Sequence, residues 1–222
     1  MGIPVLLIGK SGSGKSASLR NFKENEVGII NVLNKPLPFK NSLKFYATDD
    51  CAKVRNAIFK SKTASLVIDD AGYLMTNMFM RGHSEYMPGD ETFRFYNTIA
   101  DNFWNLVEAI KALPDNKIVY LIMHEDKNDF GDIKPKSIGK LLDNKVCIEG
   151  LFTIVLRAVK ENNDYLFLTK SRGFDVTKTP MGMFDAETIE NDLKAVDKAI
   201  REYYQIETNS NNESEDAEKI VA

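Results

Sequence analysis

Apolar residues fall along this chain in two rhythms. Short unbroken runs, Pro4 to Ile8, Val27 to Val32, Leu43 to Ala47, Ser65 to Ile68 and Ile118 to Met123, lack the alternation of a strand wetted on one face. They predict strands buried on both faces, the habit of a parallel sheet. Phe95, Ile99, Phe103, Leu106, Ile110 and Leu113 recur at helical spacing and predict a helix over Glu91 to Leu113, ended by Pro114. Shorter helices are predicted for Cys51 to Phe59, capped by Asp49 or Asp50, and for Asp185 to Tyr204, while Ser16 to Lys23 reads as a helix opening. Leu151 to Ala158 and Tyr165 to Thr169 predict two late strands around a turn at Glu161 to Asp164. Two long connections remain: Ala71 to Asp90, rich in Met and aromatic residues, and Asp126 to Lys145, polar, irregular and with one short helix near Ile138 to Leu142.

Strands alternating with helices imply an α/β domain over residues 1–205: a mainly parallel sheet, helices on both faces and a late antiparallel strand pair. Hydrophobic and charged fractions of 43% and 27% are ordinary for a globular protein and name no function. The charge changes the picture more. Five acids between Ile206 and Ala222 face only Lys219, so this tail holds −4 of a formal −3 and the rest is near neutral. An acidic, disordered tail over 206–222 is expected, and a body coated in positive charge is excluded. Cys51 and Cys147 lack metal-ligand spacing and read as buried free thiols. The apolar stretch Ile3 to Ile8 is far too short to span a membrane, so a cytoplasmic protein is expected.

The chemistry begins where the first strand ends. Gly9, Lys10, Ser11, Gly12, Ser13, Gly14, Lys15 and Ser16, continued by Ala17, match G-x-x-x-x-G-K-S/T between a predicted strand and helix. The glycines let the backbone turn tightly and aim its N–H groups at phosphate oxygens. Lys15 is expected to reach the β- and γ-phosphates of ATP, and the Ser16 hydroxyl to bind Mg²⁺.

A partner motif ends the Ser65 to Ile68 run in two acids. Asp69 is expected to hold Mg²⁺ through water, and Asp70 to sit beside the γ-phosphate. Asp70 and Glu125 compete as the base that activates water. His124, also at the end of the Ile118 to Met123 strand, is the expected γ-phosphate sensor; an ordinary hydrogen-bonded histidine is the alternative.

Together the loop, Val67-Ile68-Asp69-Asp70, Leu121-Ile122-Met123-His124-Glu125-Asp126 and Lys178-Thr179-Pro180-Met181-Gly182-Met183-Phe184 resemble the phage AAA/RecA-like nucleotide-binding family, including Sak-type single-strand annealing ATPases. The resemblance spans about residues 2 to 185 and implies a RecA-like P-loop NTPase core. It also implies ATP-dependent handling of single-stranded DNA in phage recombination or replication, by a homo-oligomer working beside a single-strand DNA-binding protein. Asp rather than Glu at position 70 departs from many such ATPases.

By the same resemblance, positive groups from a neighbouring subunit would complete the site, with Lys170, Arg172 and Lys178 as candidates and ordinary surface cations as the alternative. DNA would meet the two long connections. The first offers Met75, Met78, Phe79, Met80, Arg81, His83, Tyr86 and Arg94, with a lid or subunit-packing surface as the alternative for its Met and aromatic residues. The second offers Lys127, Lys134, Lys136, Lys140 and Lys145, with an ordinary solvated face as the alternative. A nucleotide-switched assembly module with little turnover is the alternative; a small-molecule kinase fits less well, because the first connection lacks an arginine-rich lid. Lys15→Ala is expected to abolish tight nucleotide binding, as measured by calorimetric titration with ATP.

Overall fold

The computed structural model describes residues 1–85, 89–138 and 146–206. The predicted apolar runs become β1 (Ile3–Gly9), β2 (Val27–Asn31), β3 (Phe45–Ala47), β4 (Ser65–Asp69) and β5 (Ile118–Lys127). After these come β6 (Ile133–Pro135), β7 (Ile154–Glu161), β8 (Asp164–Leu168) and β9 (Thr188–Glu190). The helices among the described residues are α1 (Cys51–Lys60), α2 (Tyr73–Gly82), α3 (Asp90–Lys111) and α4 (Leu193–Tyr204). The strands run in the order β3-β2-β4-β5-β1-β7-β8-β9, with β6 pairing β5 alone. From β3 to β7 every neighbouring pair is parallel, whereas β7–β8 and β8–β9 are antiparallel. The fold is an α/β, P-loop NTPase-like sheet, mostly parallel with late antiparallel strands.

Burial on both faces explains the unbroken runs of β1, β2, β4 and β5, whereas β3, at the edge of the sheet, is exposed at all three residues against the expectation of a buried strand. Leu6, Ile8, Ile68 and Leu121 turn toward α1, α2 and α3, while Val5, Leu7, Val67 and Ile122 turn toward α4 and the segment after β1. Leu6 and Leu7 are both 0% exposed, and each such side chain stabilises the fold by roughly 1.5–3 kcal/mol. The turn after β7 is Asn162-Asn163, both at positive φ (49° and 75°), which suits a tight two-residue hairpin.

Elsewhere the structure departs from the sequence expectations. The segment after the glycine loop is a six-residue 3-10 turn, Ser16–Asn21, because Ser18 bonds back to the Lys15 carbonyl at 2.6 Å and Phe22 N–H closes on Leu19. Ala71 to Asp90 is not a plain connection but carries α2: Met75 is in the core, Met78 and Phe79 pack against it, and the Phe79 ring lies 5.5 Å from Tyr96 of α3. The second connection is partly ordered by the β5–β6 hairpin, which carries β5 on to Lys127. Thr188–Glu190 leaves the predicted helix and pairs with the open edge of β8, so α4 starts only at Leu193, where Asp192 accepts from Lys194 N–H at 2.9 Å. Cys51 is half-buried and Cys147, in a loop, is exposed, so the expectation of two buried thiols fails at Cys147. Most of the short helix expected near Ile138 to Leu142, and the acidic tail beyond 206, lie outside the described residues.

A buried polar network docks α4 on the sheet. Asp197 accepts from Ser65 (2.8 Å), Tyr120 (2.9 Å) and Arg201 Nε (2.8 Å), and Arg201 also donates to Ser65 Oγ and the Asn116 carbonyl, both at 2.9 Å. Removing the acid leaves a guanidinium buried without its partner. Asp197→Ala is expected to destabilise the chain by roughly 3–5 kcal/mol, read as a lower midpoint in urea unfolding.

Candidate functional site

β1 delivers the loop at the centre of the sheet. A side chain at Gly9 would meet Ser13 Oγ at 2.5 Å and the Ala158 carbonyl at 2.7 Å, and Gly14 stands at φ +90°, with Tyr165 2.8 Å from where its Cβ would be. Only glycine fits either place. Lys15 folds back over the loop, its Nζ donating to the Gly9 carbonyl at 2.9 Å and the Lys10 carbonyl at 2.7 Å. Burial lowers its pKa, against the opposing pull of Asp70, Asp69 and Glu125. With only a short 3-10 turn behind it, the anion site depends on the loop amides and Lys15 more than on a helix dipole.

β5 is inserted between β1 and β4, with Gly9 in register with His124 and Ile68 with Leu121. This order brings three strand ends to one place. Asp69 is 5% exposed and accepts from Ser16 Oγ at 2.9 Å. Burial, and then the neighbouring Asp70, raise its pKa to about 6. Asp70 turns off the strand with φ at 59°, the turn held by Ala71 N–H on the Ile122 carbonyl at 2.7 Å. Its Oδ2 lies 3.1 Å from Lys35 Nζ and its Oδ1 3.5 Å from His124 Nε2. Burial alone would raise the Asp70 carboxyl, yet hydrogen bonds from His124 and Lys35 hold it below the usual carboxylate range.

These groups line one open cavity of about 520 Å³, which includes Ser11, Gly12, Gly14, Lys15, Ser16 and Ala17 on one side and Asp69, Asp70 and His124 on the other. Ser16 and Asp69 supply hard oxygen donors, and the carboxyl that holds its proton up to about pH 6 would be relieved by a divalent cation. No group of three or more His, Cys, Asp and Glu side chains is placed to hold a metal ion among the described residues, so water and phosphate oxygens would have to complete the cation's shell. A family model described as AAA domain, AAA_24, matches residues 1–183. The chain belongs to this AAA domain family. It is therefore a nucleotide-binding P-loop ATPase domain of AAA type.

No curated protein matches the chain. Solved structures that are similar include the Legionella pneumophila ATPase DotB, at 12% identity and a TM-score of 0.35, and the pilus retraction motor PilT with bound ADP, at 10% and 0.37. Each match covers 92% of this chain, which spans about half, 53%, of either structure. No helix among the described residues is long and apolar enough to cross a membrane.

The remaining candidates lie around the AAA site rather than in the cavity. Glu125 sits behind the loop near Lys10 to Ser13, bound in bidentate fashion by Arg157 at 2.8 and 3.0 Å. Arg172 bridges Glu161 and Glu187, Lys170 donates to the Asp185 carbonyl at 3.1 Å, and Lys178 is exposed where its backbone pairs with Val155. Within one chain none of these three cations lines the cavity. In the first expected DNA segment Arg81 is paired with Asp49 at 2.5 Å and Met80 is exposed. In the second, Lys127 and Lys136 are exposed and Lys134 lies on β6. Tyr86, Lys140 and Lys145 lie outside the described residues. Sequence reasoning missed Lys35, Tyr165 and Arg157. Only the pairing of β2 with β4, which sets Asn31 opposite Asp69, brings Lys35 near the acids.

The raised pKa of Asp69 means that the folded state binds this proton more tightly than the unfolded chain does. Ligand-free stability is therefore lost as pH rises from about 4 through 6. Asp69→Asn keeps the acceptor for Ser16 without the charge. In the absence of divalent cations it is expected to exceed the parent in stability by about 1–3 kcal/mol at pH 7.5 and to match it near pH 4, by denaturant unfolding at both values.

Proposed function

We propose that the chain hydrolyses MgATP while handling single-stranded DNA in phage recombination, annealing or replication, as a homo-oligomer working with a single-strand DNA-binding protein. The observation that carries the ATPase reading is the meeting of Lys15, Ser16, Asp69, Asp70 and His124 in one cavity. The loop amides receive the phosphates, and Lys15 exchanges the Gly9 and Lys10 carbonyls for β- and γ-phosphate oxygens. Ser16 and Asp69 would hold Mg²⁺, which when bound withdraws charge from those oxygens. Asp70 orients the attacking water and takes its proton, and His124 steadies the carboxylate from its other oxygen. The cavity shares Ala17, Pro38 and Tyr165 with a neighbouring groove bordered by Phe39 and Asn191, which gives the ribose and base a place to lie.

The DNA role rests on the resemblance of the His124-Glu125-Asp126 strand end and the Lys178 to Phe184 segment to Sak-type annealing ATPases. In an oligomer Lys170, Arg172 or Lys178 would reach a neighbour's γ-phosphate. A second reading, a nucleotide-switched assembly module, is favoured by the contact that ties Asp70 to Lys35. Phosphate release with and without single-stranded DNA at low salt separates the readings. Turnover that rises several-fold with DNA is expected. Nucleotide-dependent assembly with negligible release selects the module, and an absence of DNA binding at any salt concentration removes the DNA role.

A further inference from the structure

Only two residues lining the cavity, among those described, carry a fixed positive charge: Lys15 and Lys35. Lys35 follows β2 on a turn fixed by the buried Asn31 side chain, which donates to the Lys35 carbonyl at 2.6 Å and accepts from its N–H at 3.3 Å. Asn34 at φ 52° precedes it and Pro36 follows, so the backbone has little freedom. The side chain differs: it is 58% exposed, ends 3.1 Å from Asp70 Oδ2, and its Nζ lies 5.6 Å from the centre of the Tyr73 ring. A pinned base with a half-solvated ammonium makes a partner that can be exchanged, since an ion pair so open to water is weak.

We propose that Lys35 is a γ-phosphate contact acting within its own chain, leaving Asp70 for the terminal phosphate when a nucleoside triphosphate binds and returning after hydrolysis. The inference rests on the ATPase reading of this cavity and adds to it a residue and a switch. With Lys35 on Asp70, one carboxylate oxygen is occupied and cannot accept a proton from water. A triphosphate brings several anionic oxygens into the cavity and draws the ammonium away. The freed Asp70 oxygen then accepts a proton as water attacks the γ-phosphorus. The bond from that phosphorus to the β–γ bridging oxygen breaks, its electron pair leaves with ADP, and inorganic phosphate forms. A diphosphate offers no terminal group at this position, so Lys35 stays on Asp70. Lys170, Arg172 and Lys178 do not line the cavity, which leaves Lys35 as the second cation that one chain supplies there among the described residues.

The test compares the full chain with Lys35→Met, Lys35→Arg and Asp70→Asn, measuring Mg²⁺-dependent affinity for ADP and for a non-hydrolysable ATP analogue. Lys35→Met is expected to weaken the analogue by about tenfold or more while ADP changes by less than about twofold, and Lys35→Arg to keep most of the preference. Asp70→Asn releases Lys35 and is expected to tighten the analogue but not ADP. Phosphate release by Lys35→Met should fall by roughly 10²-fold, to the same degree at every chain concentration. Equal loss for both nucleotides, or unchanged affinity for both, overturns the proposal; Lys35→Arg and Asp70→Asn decide it if Lys35→Met does not fold. Because the first measurement needs no turnover, a parent chain that binds ATP without hydrolysing it refutes the ATPase reading separately from the role of Lys35.

Discussion

Two successive carboxylates at the end of a strand buried on both faces repel one another where little water screens them, and the site is arranged around that repulsion. The fold treats the two acids differently. Asp69 continues the strand, is shut away from solvent and receives one hydroxyl, from Ser16, so its proton is held up to about pH 6. Asp70 is swung away by a left-handed backbone step and meets Lys35 and His124, which keep it ionised. Identical side chains thus acquire opposite tendencies: one holds its proton, the other stays ionised. Lys15, its pKa lowered by burial, is held on the Gly9 and Lys10 carbonyl oxygens.

The central strands are legible in the sequence because parallel strands covered on both faces leave unbroken apolar runs, and α3 because its apolar residues keep one spacing for its whole length. The loop from Gly9 to Ser16 and the pair Asp69-Asp70 are equally readable, since their meaning is carried by local spacing. What escapes is set by distant neighbours. Thr188 to Glu190 is a strand because β8 presents an unpaired edge, and the Met and aromatic stretch is helical because α3 offers a surface to cover. Lys35 and Arg157 find their partners only once the strand order is known: Lys35 follows β2, which pairs with β4, and Arg157 lies within β7, separated by β1 from the β5 that carries Glu125. The insertion of β5 between β1 and β4 is the decisive fact here. It sets His124 against Asp70 and sends the next residue, Glu125, to Arg157.

The position of α4 bears on where the domain can be cut. The family match stops at residue 183, yet Leu193, Val196 and Ile200 are at most 1% exposed and complete the apolar layer over Val67, Tyr120 and Ile122. Asp197 is the acceptor for the buried Tyr120 hydroxyl, on the same strand that carries His124. A recombinant fragment ending at the family limit would uncover the part of that sheet face that α4 covers and strand that hydroxyl in an apolar setting. The smallest piece able to fold by itself therefore has to include α4, and a protease-resistant core should retain it.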